Sequence, residues 1–174
     1  MKTIPDVFII ESLNPGDEGN GRFEGSVVSH TLRLHDKRPI CNYVRTRKQF
    51  QKAVLRFGES NYRYLHISAH ANSEGMCTTN QDEIDYRTFA EIVAPHMSKK
   101  RLFLSACSMA KKKLAEKIIP QSDCYSVVGP RRKVSFSSTC SKTAKLFVLK
   151  TPHIQSSSQF ANFASSYCAI IGAV

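Results

Sequence analysis

The chain has no tryptophan, only eight glycines and seven prolines in 174 residues, and no long apolar run. Its longest apolar stretches, VFII at 7–10 and AIIGAV at 169–174, fall well short of the ~20 residues that span a bilayer. So little Gly and Pro excludes a collagen-like fibre, and 41% hydrophobic with 22% charged residues excludes a disordered tail. No segment repeats, which argues against a solenoid. The opening MKTIPDVFII has an early Pro and an early Asp and lacks the ordered regions of a signal peptide, so a cytoplasmic location is expected. Cysteine pairs are also missing. The six cysteines, at 41, 77, 107, 124, 140 and 168, form no CxxC or CxxH, which leaves little basis for a structural zinc and favours free thiols.

Acidic residues are scarce in one half. Residues 1–91 hold twelve Lys/Arg and twelve Asp/Glu, whereas residues 92–174 hold thirteen Lys/Arg against Glu116 and Asp123 alone, so the net +11 lies in the second half. Such a charge suits nucleic acid, an acidic protein partner or an anionic membrane, and equally a set of solvated helix lysines. Neither Lys111-Lys112-Lys113 nor Arg131-Arg132-Lys133 has an adjacent aromatic ring for base stacking, so nucleic acid is weakly supported.

What is present is an alternation of short apolar runs and helical periodicity. Val7–Ile10, Ile40–Val44, Tyr64–Ile67, Leu102–Leu104 and Tyr125–Val128 read as strands. Residues 76–84 read as a small hairpin, and 14–25 as a long polar loop; 25–34 fits helix or strand. Phe50, Ala53, Val54 and Phe57 mark one helix face ending at Gly58. Asp85 is a suitable N-cap for a helix carrying Phe89, Ile92, Val93 and His96. Further helices are expected over 109–119, stopped by Pro120, around 144–148 and around 160–167. This pattern predicts one α/β domain over 1–174, a mostly parallel sheet with helices on both faces.

Sites in such sheets form beyond the carboxyl ends of strands. His70 follows one predicted strand in LHISAHANSEG, and Cys107 follows another in RLFLSACSMAKKK. A free thiol is only slightly ionised at neutral pH. A strand-to-helix turn and a neighbouring imidazole would both favour the thiolate, and the imidazole could later protonate a leaving amine. Cys77, in the hairpin near His70, is the rival nucleophile. His66 shares a pleat face with His70 and reads as a core histidine, His96 as packing, and His30, His35 and His153 as surface or loop residues. Cys41, Cys124, Cys140 and Cys168 read as buried or half-buried thiols.

The segments YLHISAHANSEG and LFLSACSMA, with a hairpin and a helix between them, resemble the caspase-like (clan CD) cysteine peptidases, in particular their CHAT-domain branch. YSVVGPRRKVSFSS is similar to that family's next strand and loop, so the likeness covers about residues 60–150. The resemblance implies a caspase-like α/β/α sandwich in which Cys107 is the nucleophile and His70 the general base and acid. The backbone amides of Ala71 and Cys107 would hold the oxyanion, although Ala71 stands where the family usually has Gly, and a Cβ restricts positive φ. A specificity pocket would draw on the acids of the first loop, Glu11, Asp17 and Glu18, on Ser105, and on Arg131. Acids favour a basic substrate residue and Arg131 an acidic one; sequence does not choose. The resemblance also implies a protein or peptide substrate, a regulatory protein partner, no cofactor, and a role in bacterial defence or cell death. Two further readings are a catalytically inactive interaction module on the same fold and a basic nucleic-acid-binding domain.

Overall fold

The computed structural model describes residues 3–72, 74–105, 109, 112–130 and 168–171. The apolar run of the first segment forms β1 (Ile4–Ser12), buried on both faces from Asp6 onward. Residues expected as loop instead form α1 (Pro15–Gly19) and the start of α2 (Glu24–Arg33). The signal for α1 is local. Asn14 is its N-cap and accepts from the Asp17 amide at 2.7 Å, and Pro15 supplies a helix-ready φ at the first position.

After β2 (Ile40–Tyr43), Thr46 opens α3 (Arg47–Glu59) with a capping box in which Thr46 and Gln49 satisfy each other's backbone amides. The expected face, Phe50, Ala53, Val54 and Phe57, is buried. β3 (Tyr62–Ala71) is followed by the hairpin β4 (Gly75–Cys77) and β5 (Glu83–Asp85). Asp85 caps α4 (Tyr86–Val93) as expected, accepting from Thr88 at 2.7 Å, and a 3-10 turn over Ala94–His96 leads to β6 (Arg101–Leu104). α5 (Lys112–Ser122) contains Pro120 rather than stopping at it. The proline sits exposed in the last turn, where the missing backbone N–H disturbs the helix least. β7 (Ser126–Pro130) and β8 (Cys168–Ile171) complete the sheet. The helices expected around 144–148 and 160–167 lie outside the described residues.

The sheet order is β2-β1-β3-β6-β7-β8, parallel except for β8, which runs antiparallel to β7. Alternation along each strand divides the side chains between two faces. Phe8, Ile10, Leu65, Ile67, Leu102, Leu104 and Val127 join residues of α3, α4 and α5 in one core. The opposite face carries Ile9, Glu11, His66, Ser68 and Phe103, and α2 covers it: a Cβ on Gly25 would lie 3.0 Å from Ile9. The strand order switches direction at β1, since β2 flanks it on one side and β3 on the other. That reversal opens a crevice at the carboxyl ends, where open α/β sheets bind ligands.

The opposite edge is closed by Lys100, which is 6% exposed. Its ammonium donates to the carbonyls of Phe57 (2.9 Å), Gly58 (3.4 Å) and Ser60 (3.0 Å), satisfying the carboxyl end of α3. It also stands 4.1 Å above the Phe57 ring. Lys100→Met keeps the stem and removes these bonds, so it is expected to lower stability by about 1.5–3 kcal/mol in urea unfolding, the range for hydrogen bonds to a charged group; a loss within experimental error would show the cap to be idle.

Candidate active site

The two strands that bear the predicted dyad are hydrogen-bonded neighbours. β3 pairs with β6 in parallel, Ile67 opposite Leu104, and the Ser105 amide continues the ladder to the Ile67 carbonyl at 2.8 Å. His70 stands three residues beyond Ile67, and in sequence Cys107 stands three beyond Leu104. Cys107 and Arg131 lie outside the described residues.

His70 is at the crevice, its side chain 49% exposed. The Nε2 atom lies 2.6 Å from Asp17 Oδ2 and 2.9 Å from Asn14 Nδ2. Asn14 Nδ2 is a donor and itself reaches Asp17 Oδ2 at 3.1 Å, so both groups donate to that oxygen. The geometry therefore assigns the proton to Nε2 and leaves the Nδ1 lone pair as the basic position. Among the described residues Nδ1 has no hydrogen-bond partner. Asp17 also accepts from Arg22 at 3.0 Å. Burial opposes ionisation of Asp17, but the hydrogen bonds and positive charge of His70 and Arg22 outweigh it and hold the carboxyl below its usual range.

β3 runs past the end of β1, and there β4 takes up the pairing, with His70 opposite Cys77 and Ala71 opposite Met76. The Asn72 amide donates to the Gly75 carbonyl at 3.0 Å, so by antiparallel alternation the intervening Ala71 amide turns away from β4. It points to the side on which Ile67 receives β6. Ala71 is extended; the described non-glycine residues with positive φ are Asp36, Gln81, Lys99 and Asp123. A glycine is therefore not needed at 71, because a Cβ meets no conformational penalty in a strand. It is needed at 75, where a Cβ would lie 2.2 Å from the Ile84 carbonyl oxygen. His70, Ala71 and the β4–β5 hairpin line a cleft of about 300 Å³ with Glu74, Glu83 and Asp85 at its walls.

The described thiols are poor nucleophiles. Cys77 is raised by burial and by Glu83 and Asp82, and burial pushes Cys124 up to about 11. Cys41 is exposed on the edge strand, contrary to the expectation of a buried or half-buried thiol.

Beneath His70, on the same face, lies a buried polar layer. Glu11, 1% exposed, accepts from the Gly25 amide at 2.7 Å and so caps α2, whose N-cap residue Phe23 has no side-chain bond to offer. Glu24, 3% exposed, accepts from Ser68 at 2.8 Å, with His66 Nε2 3.8 Å away. Ser105 is 8% exposed, with its hydroxyl 3.4 Å from His66 Nε2, so it faces this layer. Burial keeps His66 neutral, down to about 3, the core histidine expected. The three first-loop acids are all engaged: Glu11 with α2, Glu18 with Arg45, and Asp17 with His70 and Arg22. Sequence reasoning missed Asn14 and Glu24. Asn14-Pro15 is a helix-start signal, whereas Glu24 carries no local signal because its partners come from other strands.

No protein-family model matches the sequence, and neither does any curated protein. Solved structures do match. An inactive zymogen of a C11 protease from Parabacteroides distasonis superposes with a TM-score of 0.62 at 9% identity, over 99% of this chain and 63% of that one. The complex of the pro- and mature domains of Porphyromonas gingivalis RgpB gives 0.54 at 11% identity, over 85% of this chain and 37% of that one. The flavodiiron protein of Giardia intestinalis gives 0.50 at 7%, over 86% and 36%. The chain thus spans less than two thirds of each. The fold is the caspase-like α/β arrangement, as expected from the sequence. Among the described residues no helix is long and apolar enough to cross a membrane, and no group of three or more His, Cys, Asp or Glu is placed to hold a metal.

Asp17→Ala removes the acceptor that fixes the ring. The imidazole ¹⁵N shifts of His70 are expected to report the Nε2–H tautomer in the wild type and a mixture of tautomers in the variant; identical spectra would show that Asp17 does not set the tautomer.

Proposed function

We propose that the chain is a cysteine endopeptidase of the CHAT-like branch of clan CD, a single domain with Cys107 as nucleophile and His70 as general base and acid. The observation that carries the reading is the β3–β6 register. Two parallel neighbours are in step at Ile67 and Leu104, and in the sequence His70 and Cys107 each follow three residues later. The reading is further supported by Asp17, which leaves Nδ1 of His70 free to take a proton.

In this mechanism Nδ1 accepts the Cys107 proton and the thiolate attacks the carbonyl carbon of a peptide bond. The new C–S bond pushes the carbonyl electrons onto oxygen, and the amides of Ala71 and Cys107 hold that oxyanion. Asp17 stabilises the imidazolium that forms, as a carboxylate does for a catalytic histidine elsewhere. The imidazolium then gives its proton to the departing nitrogen as the C–N bond breaks. Water, deprotonated by His70, attacks the thioester, and collapse returns the thiol and the carboxylic product. The chemistry needs no metal or organic cofactor. Ser105 and Arg131 are assigned to the substrate pocket by resemblance. A regulatory protein partner, a cytoplasmic setting and a role in bacterial defence or cell death complete the reading.

Cys107→Ala and His70→Ala are expected to abolish hydrolysis of a peptide library, the base alone being worth roughly 10²–10⁴-fold, while Asp17→Ala gives a partial loss in kcat. Iodoacetamide is expected to label Cys107 far faster than the exposed Cys41. Equal labelling of the two thiols would end the peptidase reading.

A further inference from the structure

We propose that the cavity at the amino end of the sheet, walled by the end of α3 and by Ser98, Lys99 and Lys100, binds a phosphate group, free or carried by a small phosphomonoester. It lies at the other end of the strands from His70, and the inference stands apart from the peptidase reading.

The cavity holds about 290 Å³, where the carboxyl end of α3, the 3-10 turn and the lead into β6 meet the start of β1. Among the described residues its walls carry cations, an imidazole and hydroxyls, and no acid. Lys100 is the decisive member. It is buried, and its ammonium meets three neutral carbonyls and the Phe57 ring but no carboxylate. Burial lowers it to about 8. A buried charge without a counter-ion carries a desolvation cost that a bound anion would offset. Bare carbonyls at the end of α3 would repel such an anion; the ammonium covers them and makes that wall positive.

The neighbours of Lys100 add to this field. Lys99 is exposed on the same wall. The His96 ring lies over Gly58, where a Cβ would stand 2.3 Å from its Nδ1. Burial and the Lys100 charge hold His96 below its ordinary value, with Glu59 opposing. Arg63 Nε donates to the Thr3 hydroxyl oxygen at 3.0 Å, which brings a further cation to the rim and leaves the Thr3 O–H to donate. The Ser60 hydroxyl is taken by the Phe57 carbonyl at 2.7 Å. Among the described residues none of Arg63, Lys99 and Lys100 is in an ion pair. Glu59 ends α3, and Asp123 meets the Lys99 amide through its backbone carbonyl at 3.2 Å, yet neither carboxylate pairs with these cations. Cations and O–H donors on several sides of one cavity suit a tetrahedral dianion better than a planar carboxylate of single charge.

The test is a titration of the full chain with inorganic phosphate and, separately, with glycerol 2-phosphate, against sodium chloride of equal ionic strength. The amide shifts of Gly58, Ser60, Ser98 and Lys99 are followed. Saturable shifts at these amides are expected with the phosphates and not with chloride. Tighter binding of the ester assigns the site to a phosphomonoester, and equal or tighter binding of inorganic phosphate assigns it to the free ion. Lys99 has a φ of +57°, which glycine adopts without strain, so Lys99→Gly removes the charge and keeps the turn. It is expected to weaken binding about tenfold, as loss of one charged hydrogen bond would, whereas Lys99→Arg retains binding. Shifts that chloride reproduces, shifts confined to other residues, or a Lys99→Gly variant that binds as tightly as the wild type would overturn the proposal.

Discussion

The hydrogen-bonded seam between β3 and β6 is the constraint on which the rest depends. Four paired positions, Tyr64 to Ile67 against Arg101 to Leu104, hold two segments in step that are 37 residues apart in sequence. The intervening chain, a hairpin and a helix, makes the long return that parallel strands require. One face of the seam is sealed by apolar side chains of α3 and α4. The other carries Ser68 and Ser105 under α2, so strength and polarity are sorted by strand alternation alone.

Much of this could be read from the residues, because the governing signals are local or periodic. The face Phe50, Ala53, Val54 and Phe57, the cap at Asp85 and the strands at Leu65 and Leu102 each announce themselves within a few positions. The parallel sheet follows from their alternation. The failures are of two kinds. At 14–19 a short helix made by a cap and a proline was hidden by its Gly and acid content. At Pro120 the rule that proline ends a helix gave way because the proline falls, exposed, in the last turn. The buried layer around Glu24 was illegible for a different reason. Its members come from β1, α2, β3 and β6, and only their meeting makes the carboxyl unusual.

Charge around His70 is easier to count in the sequence than to place. In the sequence Glu11, Asp17 and Glu18 stand against Arg131 as candidates for the substrate pocket, with no choice between them. In the fold each of the three acids has a partner within the chain, Glu11 in the helix α2, Asp17 in His70 and Arg22, and Glu18 in Arg45. Asn14 has two tasks, since its oxygen caps α1 while its nitrogen steadies the Asp17 carboxylate beside His70. Ala71 likewise reads as a departure from a glycine requirement, yet its extended backbone carries a side chain without strain.

The short helix α1 buries none of its five residues. It is anchored through its cap, through Asp17 to the imidazole, and through Glu18 to Arg45, with no apolar contact to defend. Such an element can melt or be rebuilt at small cost to the whole, so selection can tune the electrostatics of the crevice without loosening the scaffold. Changes there should be cheap in folding and dear in chemistry.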